Sequence, residues 1–378
     1  MVQPRVALVH DWLVSPGGAE RLLYELHQIW PEAPIFTAAY VPERFPEFKN
    51  IDVRTTWLNR VPFAKTKHQF FPLLRGWAFK SLDLSDYDIV VSSCSAESKY
   101  VHTGKNTLHV CYCHTPVRYY WSDYEWYLAH PPFGKLNGVA RIALRFLVGY
   151  LRKVDLAAAK RVDVFIANSQ NVKARIQKYY GRDSTVIYPP IVTSAFRAAR
   201  NPKDYYVIIG RQVAYKRLDL AVDAFNELGW KLKVIGAGEE VARQKTRAKS
   251  NIEFLGRVSD ADREKALSEA KGFVFGAEED FGMAPTEALA AGCPVIAYAK
   301  GGALEFMIPG VNGVLFERQT PKDLIAALRE FDESEFDETA VRASADKFDV
   351  ELFKKAVKQF VGEQYDLYLE NGQKTRDN

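Results

Sequence analysis

The stretch from Phe273 to Tyr298 reads FVFGAEEDFGMAPTEALAAGCPVIAY. An apolar run, Phe273 to Phe275, leads into an acidic, glycine-containing loop. Pro285 then opens a short Ala/Leu-rich helix, which Gly292 ends before a second apolar run, Pro294 to Ala297. Proline suits a first helical turn because it has no N–H to lose there, and glycine suits the C′ position. The stretch is therefore one strand, loop, helix, strand unit, the repeat from which α/β domains are built.

The backbone amides of Gly282, Met283 and Ala284 would point out of that helix start, where free donors and the helix dipole favour an anion such as a phosphate. Glu279 and Glu287, with seven residues between them, place one carboxylate on the loop and one in the first turn. Carboxylates repel phosphate, so the pair is better suited to accepting hydrogen bonds from sugar hydroxyls. Read singly, Glu287 complements the helix dipole and Glu279 is a solvated loop charge.

As a whole string the stretch resembles the E-x7-E segment of the retaining glycosyltransferases of family 4, which have the GT-B fold. The resemblance implies an α/β protein with two doubly wound, Rossmann-like domains facing across a cleft that holds a nucleotide-sugar donor. It also implies that Glu287 binds the ribose of that donor, while Glu279 and the loop amides hold its sugar.

At 378 residues the chain exceeds the roughly 250–300 residues that one hydrophobic core supports, so two domains are expected. The 47% hydrophobic and 26% charged content is that of an ordinary folded protein. The start, MVQPRVALVHDW, has too short an apolar run for a signal peptide, and no stretch of about 18 uncharged apolar residues occurs. A cytoplasmic protein is expected, with Cys94, Cys111, Cys113 and Cys293 as reduced thiols. A net charge of +4 allows attraction to an anionic membrane or a phosphate-bearing substrate, and no basic stripe points to nucleic acid.

In the first half, Arg5 to Val9 reads as a buried strand. His10, Asp11 and Trp12 follow, then SPGGAERLLYELHQI, a turn and an amphipathic helix. A plain βα turn explains Gly17 and Gly18; in the resembled family this loop faces the donor diphosphate and the acceptor, which makes Gly17 and Gly18 donor candidates and Asp11 an acceptor candidate. Leu108 to Cys113 is a strand running into HTPVRYYW, which puts His114 on the edge where open α/β sheets bind ligands. Many family members carry a His-Thr-Pro-x-Arg string here. The resemblance gives His114 a place beside donor sugar and acceptor, and Arg118 a phosphate or acceptor contact. Zinc binding by His109, Cys111, Cys113 and His114 is disfavoured because no second cysteine pair accompanies the C-x-C.

Between Arg60 and Lys80 the basic residues Arg60, Lys65, Lys67, Arg75 and Lys80 interleave with Phe63, Phe70, Phe71, Trp77 and Phe79. Such a mixture suits the interface of an anionic membrane, and equally a core-packing helix with a solvated face. Gly138 to Lys160 has helical periodicity and reads as a long helix of the first domain, with membrane contact secondary.

The run from Val186 to Lys203 reads as the inter-domain linker. Residues 1–188 form the expected first domain, with a helix from about 350 to 378 packing back on it, and 204–349 the second. There the strand Tyr205 to Ile209 leads to GRQVAYKRLDLAVDAF. Cations just ahead of a helix oppose its dipole unless an anion lies between them, which favours a diphosphate held by Arg211 and Lys216. The family match assigns the same role. GAGEEV at Gly236 begins like a dinucleotide fingerprint, but Val241 occupies the place of its third small residue, so NAD is not expected. Arg257 borders the nucleotide base by resemblance.

Together these readings predict a retaining hexosyltransferase without metal or cofactor, in which Arg211, Lys216, Glu279 and His114 carry the reaction. In such sites the leaving phosphate can take the acceptor proton on the same face, with no paired catalytic carboxylates. The HDW…GGAE opening and HTPVRYYW most resemble bacterial mannosyltransferases of O-antigen and exopolysaccharide assembly. That favours GDP-mannose over UDP-sugars, a lipid-linked or oligosaccharide acceptor, and a peripheral position on the inner face of the plasma membrane. A nucleotide-sugar 2-epimerase and a non-catalytic sugar-nucleotide binder remain as alternatives.

Overall fold

The computed structural model describes residues 3–67, 71–129 and 137–374. The chain divides into two compact units, residues 1–188 with 354–378, and residues 189–353.

Among its described residues the first unit holds seven parallel strands: β1 (Val6–His10), β2 (Ile35–Thr37), β3 (Val53–Thr55), β4 (Ile89–Cys94), β5 (Leu108–Cys113), β6 (Val164–Ala167) and β7 (Thr185–Val186). Their order is β3-β2-β1-β4-β5-β6-β7. β1, β4 and β5 are buried from end to end, as the central strands of a sheet covered on both faces must be. The order reverses between β1 and β4, and this switch point is where loops diverge and leave room for a ligand. The helix Val350–Lys374 is tied to this unit by Lys354 against Glu25 at 2.9 Å and by the Tyr368 hydroxyl on the Lys105 carbonyl.

Two polar clusters lie inside the first unit. Lys99 and Asp155 pair at 2.6 Å, and the Asp155 carboxylate also accepts from Tyr100, Trp121 and Tyr180. Arg75 clasps Glu97 through two hydrogen bonds of 2.8 and 2.9 Å, with Tyr119 and Tyr120 on the same carboxylate. The second cluster divides the Arg60 to Lys80 segment: Arg75, Ala78 and Phe79 are core, whereas Phe63 and Trp77 are exposed. Phe70 lies outside the described residues, as does the side chain of Lys67. Arg75 is therefore unavailable to a membrane.

The second unit holds six parallel strands: β8 (Tyr206–Ile209), β9 (Leu232–Ile235), β10 (Ile252–Gly256), β11 (Phe273–Phe275), β12 (Val295–Tyr298) and β13 (Gly313–Phe316). Their order is β10-β9-β8-β11-β12-β13, with the switch point between β8 and β11. Leu220, Val222, Phe225, Val234, Val274, Ile296 and Leu324 are among its core. The run read as a linker is anchored to this unit: Ile191 N–H donates to Phe348, Arg197 and Ala198 N–H to Glu264, and Lys203 N–H to Glu269.

Gly238 owes its identity to close packing. A Cβ there would stand 1.9 Å from the Gln212 carbonyl oxygen, so GAGEEV is a turn pressed against the loop after β8.

Candidate active site

In the second unit, the two loops that leave the β8/β11 switch point meet. The loop after β8 forms a short turn, Ala214–Lys216, and the loop after β11 carries Glu279. Lys216 Nζ lies 2.6 Å from Glu279 Oε1, and the two line a small recess with Arg217, Gly276 and Ala277. Burial opposes the lysine's charge, but the Glu279 carboxylate outweighs it and holds the pKa above the ordinary value. Arg211 is exposed and close enough to Lys216 to act on it by repulsion.

Arg217, next to Lys216, adopts a left-handed backbone with φ of 56°. That conformation costs an L-residue about 1–2 kcal/mol. The side chain is fixed by Asp219 and Gln319, so Arg217 braces the turn at the wall of the recess.

The helix of the opening stretch is Met283–Ala290, beginning two residues before the expected Pro285. Gly282 caps it in a left-handed conformation, so the first amides after the cap are those of Met283 and Ala284, with Gly282 at the turn into them. Gly292, at φ of 77°, follows the C-cap Ala291 as expected. The loop ahead of the helix is held in place. Gly302 N–H donates to Glu279 O at 2.7 Å, and Phe281 packs on Phe306 and Phe348. A Cβ on Gly302 would stand 1.9 Å from Phe281 O, so only glycine lets the two turns touch.

Glu287 is buried and engages Arg263 at 3.3 Å. Arg263, on the helix Asp260–Glu269, was invisible to sequence reasoning because its partner lies in another element. The Arg263 Nε is buried without a hydrogen-bond partner, so the guanidinium has unspent capacity beside Glu287. Arg257 is exposed at the end of β10, at the start of the loop leading to the same helix.

In the first unit the site residues gather at the β1/β4 switch point and at the end of β5. Asp11 departs from its expected acceptor role. Its carboxylate is buried and accepts from the backbone of Ser95, Ala96 and Ser98 and from the Ser95 hydroxyl, at 2.6–2.9 Å. Burial raises its pKa, yet His10 and these donors prevail and hold it below the ordinary carboxylate value. Asp11 thus shapes the loop after β4. Arg118 pairs with Asp123 at 3.1 Å. Gly17 and Gly18 stand at the start of the helix Gly18–Ile29, and a Cβ on Gly17 would come within 2.9 Å of Glu20 Oε2.

His114 ends a chain that the sequence did not disclose. Its Nε2 is 2.8 Å from Ser93 Oγ, Ser93 Oγ is 3.1 Å from His10 Nδ1, and His10 Nε2 is 3.7 Å from Glu20 Oε1. The Glu20 carboxylate favours a proton on His10 Nε2, leaving Nδ1 to accept from the Ser93 hydroxyl. That hydroxyl has one proton, so it accepts from His114 Nε2–H, and the His114 lone pair falls on Nδ1. Two-bond 15N–1H spectra should therefore show His114 as the Nε2–H tautomer. Ser93→Ala should shift it toward a tautomer mixture; an unchanged spectrum would remove the chain as the cause.

His109 bonds Ser92 at 2.9 Å, and burial pushes its pKa down to about 3. Cys94, Cys111, Cys113 and Cys293 are free and buried. Among the described residues no three His, Cys, Asp or Glu side chains stand together as metal ligands. Of two D-x-D strings, Asp86-Tyr87-Asp88 and Asp260-Ala261-Asp262, the second serves its own helix start, with Asp262 capped by Ser259 and Asp260 on Arg263.

Residues 16–195 match the model of Glycosyltransferase Family 4, and residues 193–348 that of Glycosyl transferases group 1. An uncharacterized glycosyltransferase of Methanocaldococcus jannaschii is 29% identical over 44% of this chain and 49% of its own length. The chain thus spans about half the length of that relative. The alpha-1,3/1,6-mannosyltransferase ALG2 of Dictyostelium discoideum is 24% identical over 82% of this chain and 85% of its own. The structure of Anabaena HepE in complex with UDP-glucose has the same fold, with a TM-score of 0.71 at 20% identity, covering 96% of this chain and 100% of that one. Two parallel Rossmann-like sheets, paired site loops at their switch points and contiguous matches to both family models place the chain in family 4 of the glycosyltransferases, with the GT-B fold.

Proposed function

We propose that the chain transfers mannose with retention, from GDP-mannose to a lipid-linked or oligosaccharide acceptor, in bacterial surface polysaccharide synthesis. The observation that carries the donor site is the Lys216–Glu279 contact at the β8/β11 switch point, since it sets a cation for a diphosphate beside an acceptor for sugar hydroxyls. Arg211 and Lys216 hold the diphosphate and stabilise the charge that grows on it as the glycosidic bond breaks. The amides of Met283 and Ala284 at the helix start add donors to the same phosphates. Glu287, oriented by Arg263, accepts from the ribose hydroxyls. With two side-chain cations on the diphosphate, the reaction calls for no metal. His114, at the end of β5, stands on the side of donor sugar and acceptor, and Arg118 follows four residues later.

Mannose is supported by the mannosyltransferase relative, which spans most of both chains. A UDP-sugar is the second reading, favoured by the neighbour that was crystallised with UDP-glucose. A lipid-linked acceptor would place the protein peripherally on the inner face of the plasma membrane.

Thermal shift with GDP-mannose, GDP, UDP-glucose, UDP-GlcNAc and NAD separates these donors, because a tight ligand raises the melting temperature by mass action. The expected result is a rise with GDP and GDP-mannose that Glu287→Ala or Lys216→Ala abolishes. A rise confined to uridine compounds would replace the mannosyl assignment by the second reading.

A further inference from the structure

The helix Asn137–Arg161 carries an apolar stripe that none of the described residues of the first unit covers. Val139 is 67% exposed, Ile142 60%, Phe146 80% and Tyr150 51%. Their spacing of three, four and four residues puts them on one face. The helix has already met its packing need elsewhere: Val148, Leu151, Asp155, Ala158 and Ala159 are buried on another side. The stripe is therefore a second apolar face, larger than scattered surface hydrophobes account for.

Its charge is one-sided. From Asn137 to Val154 there is no acid, while Arg141, Arg145, Arg152 and Lys153 are all basic. Arg141 is committed to the Leu128 and Ala129 carbonyls, and Arg152 to the Tyr120 carbonyl and the Trp121 and Tyr124 rings. These contacts anchor the helix to its neighbours. Arg145 and Lys153 are exposed beside the stripe. The adjoining helices add exposed aromatics: Trp126 on Tyr124–Ala129, and Trp77 on Pro72–Lys80, whose Leu73 packs with Leu147 and Leu151.

We propose that this face of the helix Asn137–Arg161 docks on an anionic lipid bilayer, with Ile142, Phe146 and Tyr150 entering the interface and Arg145 and Lys153 reaching lipid phosphates. Apolar side chains flanked by cations match the headgroup boundary of such a bilayer. No helix among the described residues is long and apolar enough to cross a membrane, so contact through this face is lateral. A second copy of the chain fits less well. Two-fold pairing through the stripe would set the same basic stretch against itself, with no acid from Asn137 to Val154 to answer Arg145 and Lys153. The proposal deepens the lipid-linked reading of the acceptor, but bilayer binding is measurable without donor or acceptor.

The test is sedimentation of the full chain with vesicles of phosphatidylcholine alone, or of phosphatidylcholine with phosphatidylglycerol. At least tenfold stronger binding to the mixed vesicles is expected, weakening as salt is raised. The Ile142→Asp/Phe146→Asp variant should lose about tenfold or more in binding, and Arg145→Glu/Lys153→Glu should lose the preference for anionic lipid. All these side chains are exposed, so both variants should keep the wild-type melting temperature and its rise with nucleotide sugar. Equal sedimentation of wild type and the Asp variant, or none with either vesicle, overturns the proposal. So does a concentration-dependent dimer that Phe146→Asp dissociates. Failure of the nucleotide-sugar shift with vesicle binding intact would count against the transferase reading alone.

Discussion

Replacing Lys216 by methionine should lower kcat/KM for sugar transfer by about 10²–10³-fold, the range found when one preorganised group facing developing charge is removed. Methionine keeps the length and apolar stem of lysine, so the effect isolates the charge. That charge is present at neutral pH because Glu279 holds the lysine pKa up. The structure adds a second, opposite effect at the partner. On the proposed donor site, Lys216 exchanges Glu279 for the diphosphate when donor arrives, so Glu279 would compete with the nucleotide for the same cation. Glu279→Gln should then bind free GDP more tightly, by about fivefold if the partly buried pair contributes about 1 kcal/mol, while transfer slows because a neutral amide oxygen accepts from the sugar hydroxyls more weakly than the carboxylate. Calorimetric titration with GDP and initial rates with GDP-mannose measure the two separately. Weaker GDP binding by Glu279→Gln would show that Glu279 supports the diphosphate and does not compete for the lysine.

The second large effect concerns stability. Asp155→Asn should destabilise the first unit by about 3–5 kcal/mol, because it strands a buried lysine without its counter-charge. Lys99 Nζ keeps the Ala96 carbonyl at 2.8 Å, but a neutral amide replaces the carboxylate and turns N–H donors toward Tyr100, Trp121 and Tyr180. Lys99→Met should cost less, since those three donors still satisfy the carboxylate that remains. The double variant should be less damaged than the two losses added together, because the groups share one network. Urea unfolding followed by tryptophan fluorescence, to which Trp121 beside the network contributes, and by far-UV circular dichroism reads all three. Additive losses would mean that Lys99 and Asp155 act independently despite their 2.6 Å contact.

The sequence was most legible where the signal is local. Apolar runs closed by glycine or proline marked the strands and the C-terminal end of the helix Met283–Ala290, since each rests on the conformational preference of one or two residues. The helix start was misplaced by two residues because its cap, Gly282, lacks a side chain to announce it. Arg211 and Lys216 stood out because cations ahead of a helix make poor sense without an anion. By contrast Arg75 read as one more basic residue in an aromatic segment. It is buried because Glu97 and Tyr119, from two other places in the chain, bond it, and Tyr120 donates to the same Glu97 carboxylate.

Asp11 shows the limit most clearly. A carboxylate after the first strand of a doubly wound sheet suggested ligand contact, yet Ser95, 84 residues later, claims it. His10 belonged to the HDW opening, but nothing in the sequence announced its partner Ser93, 83 residues later.

What the sequence alone determined was the repeating unit and the two-sheet architecture, because each follows from hydrophobic period and turn residues within a few positions; the donor site it pointed to stands as a proposal. Which charges face one another was decided only by the tertiary structure. The order of strands in each sheet selects the loops that meet at a switch point, and strand order is a long-range property that no local window contains. The pairing of Lys216 with Glu279, the Glu20 to His114 chain and the exposed stripe on the helix Asn137–Arg161 all arise at that level.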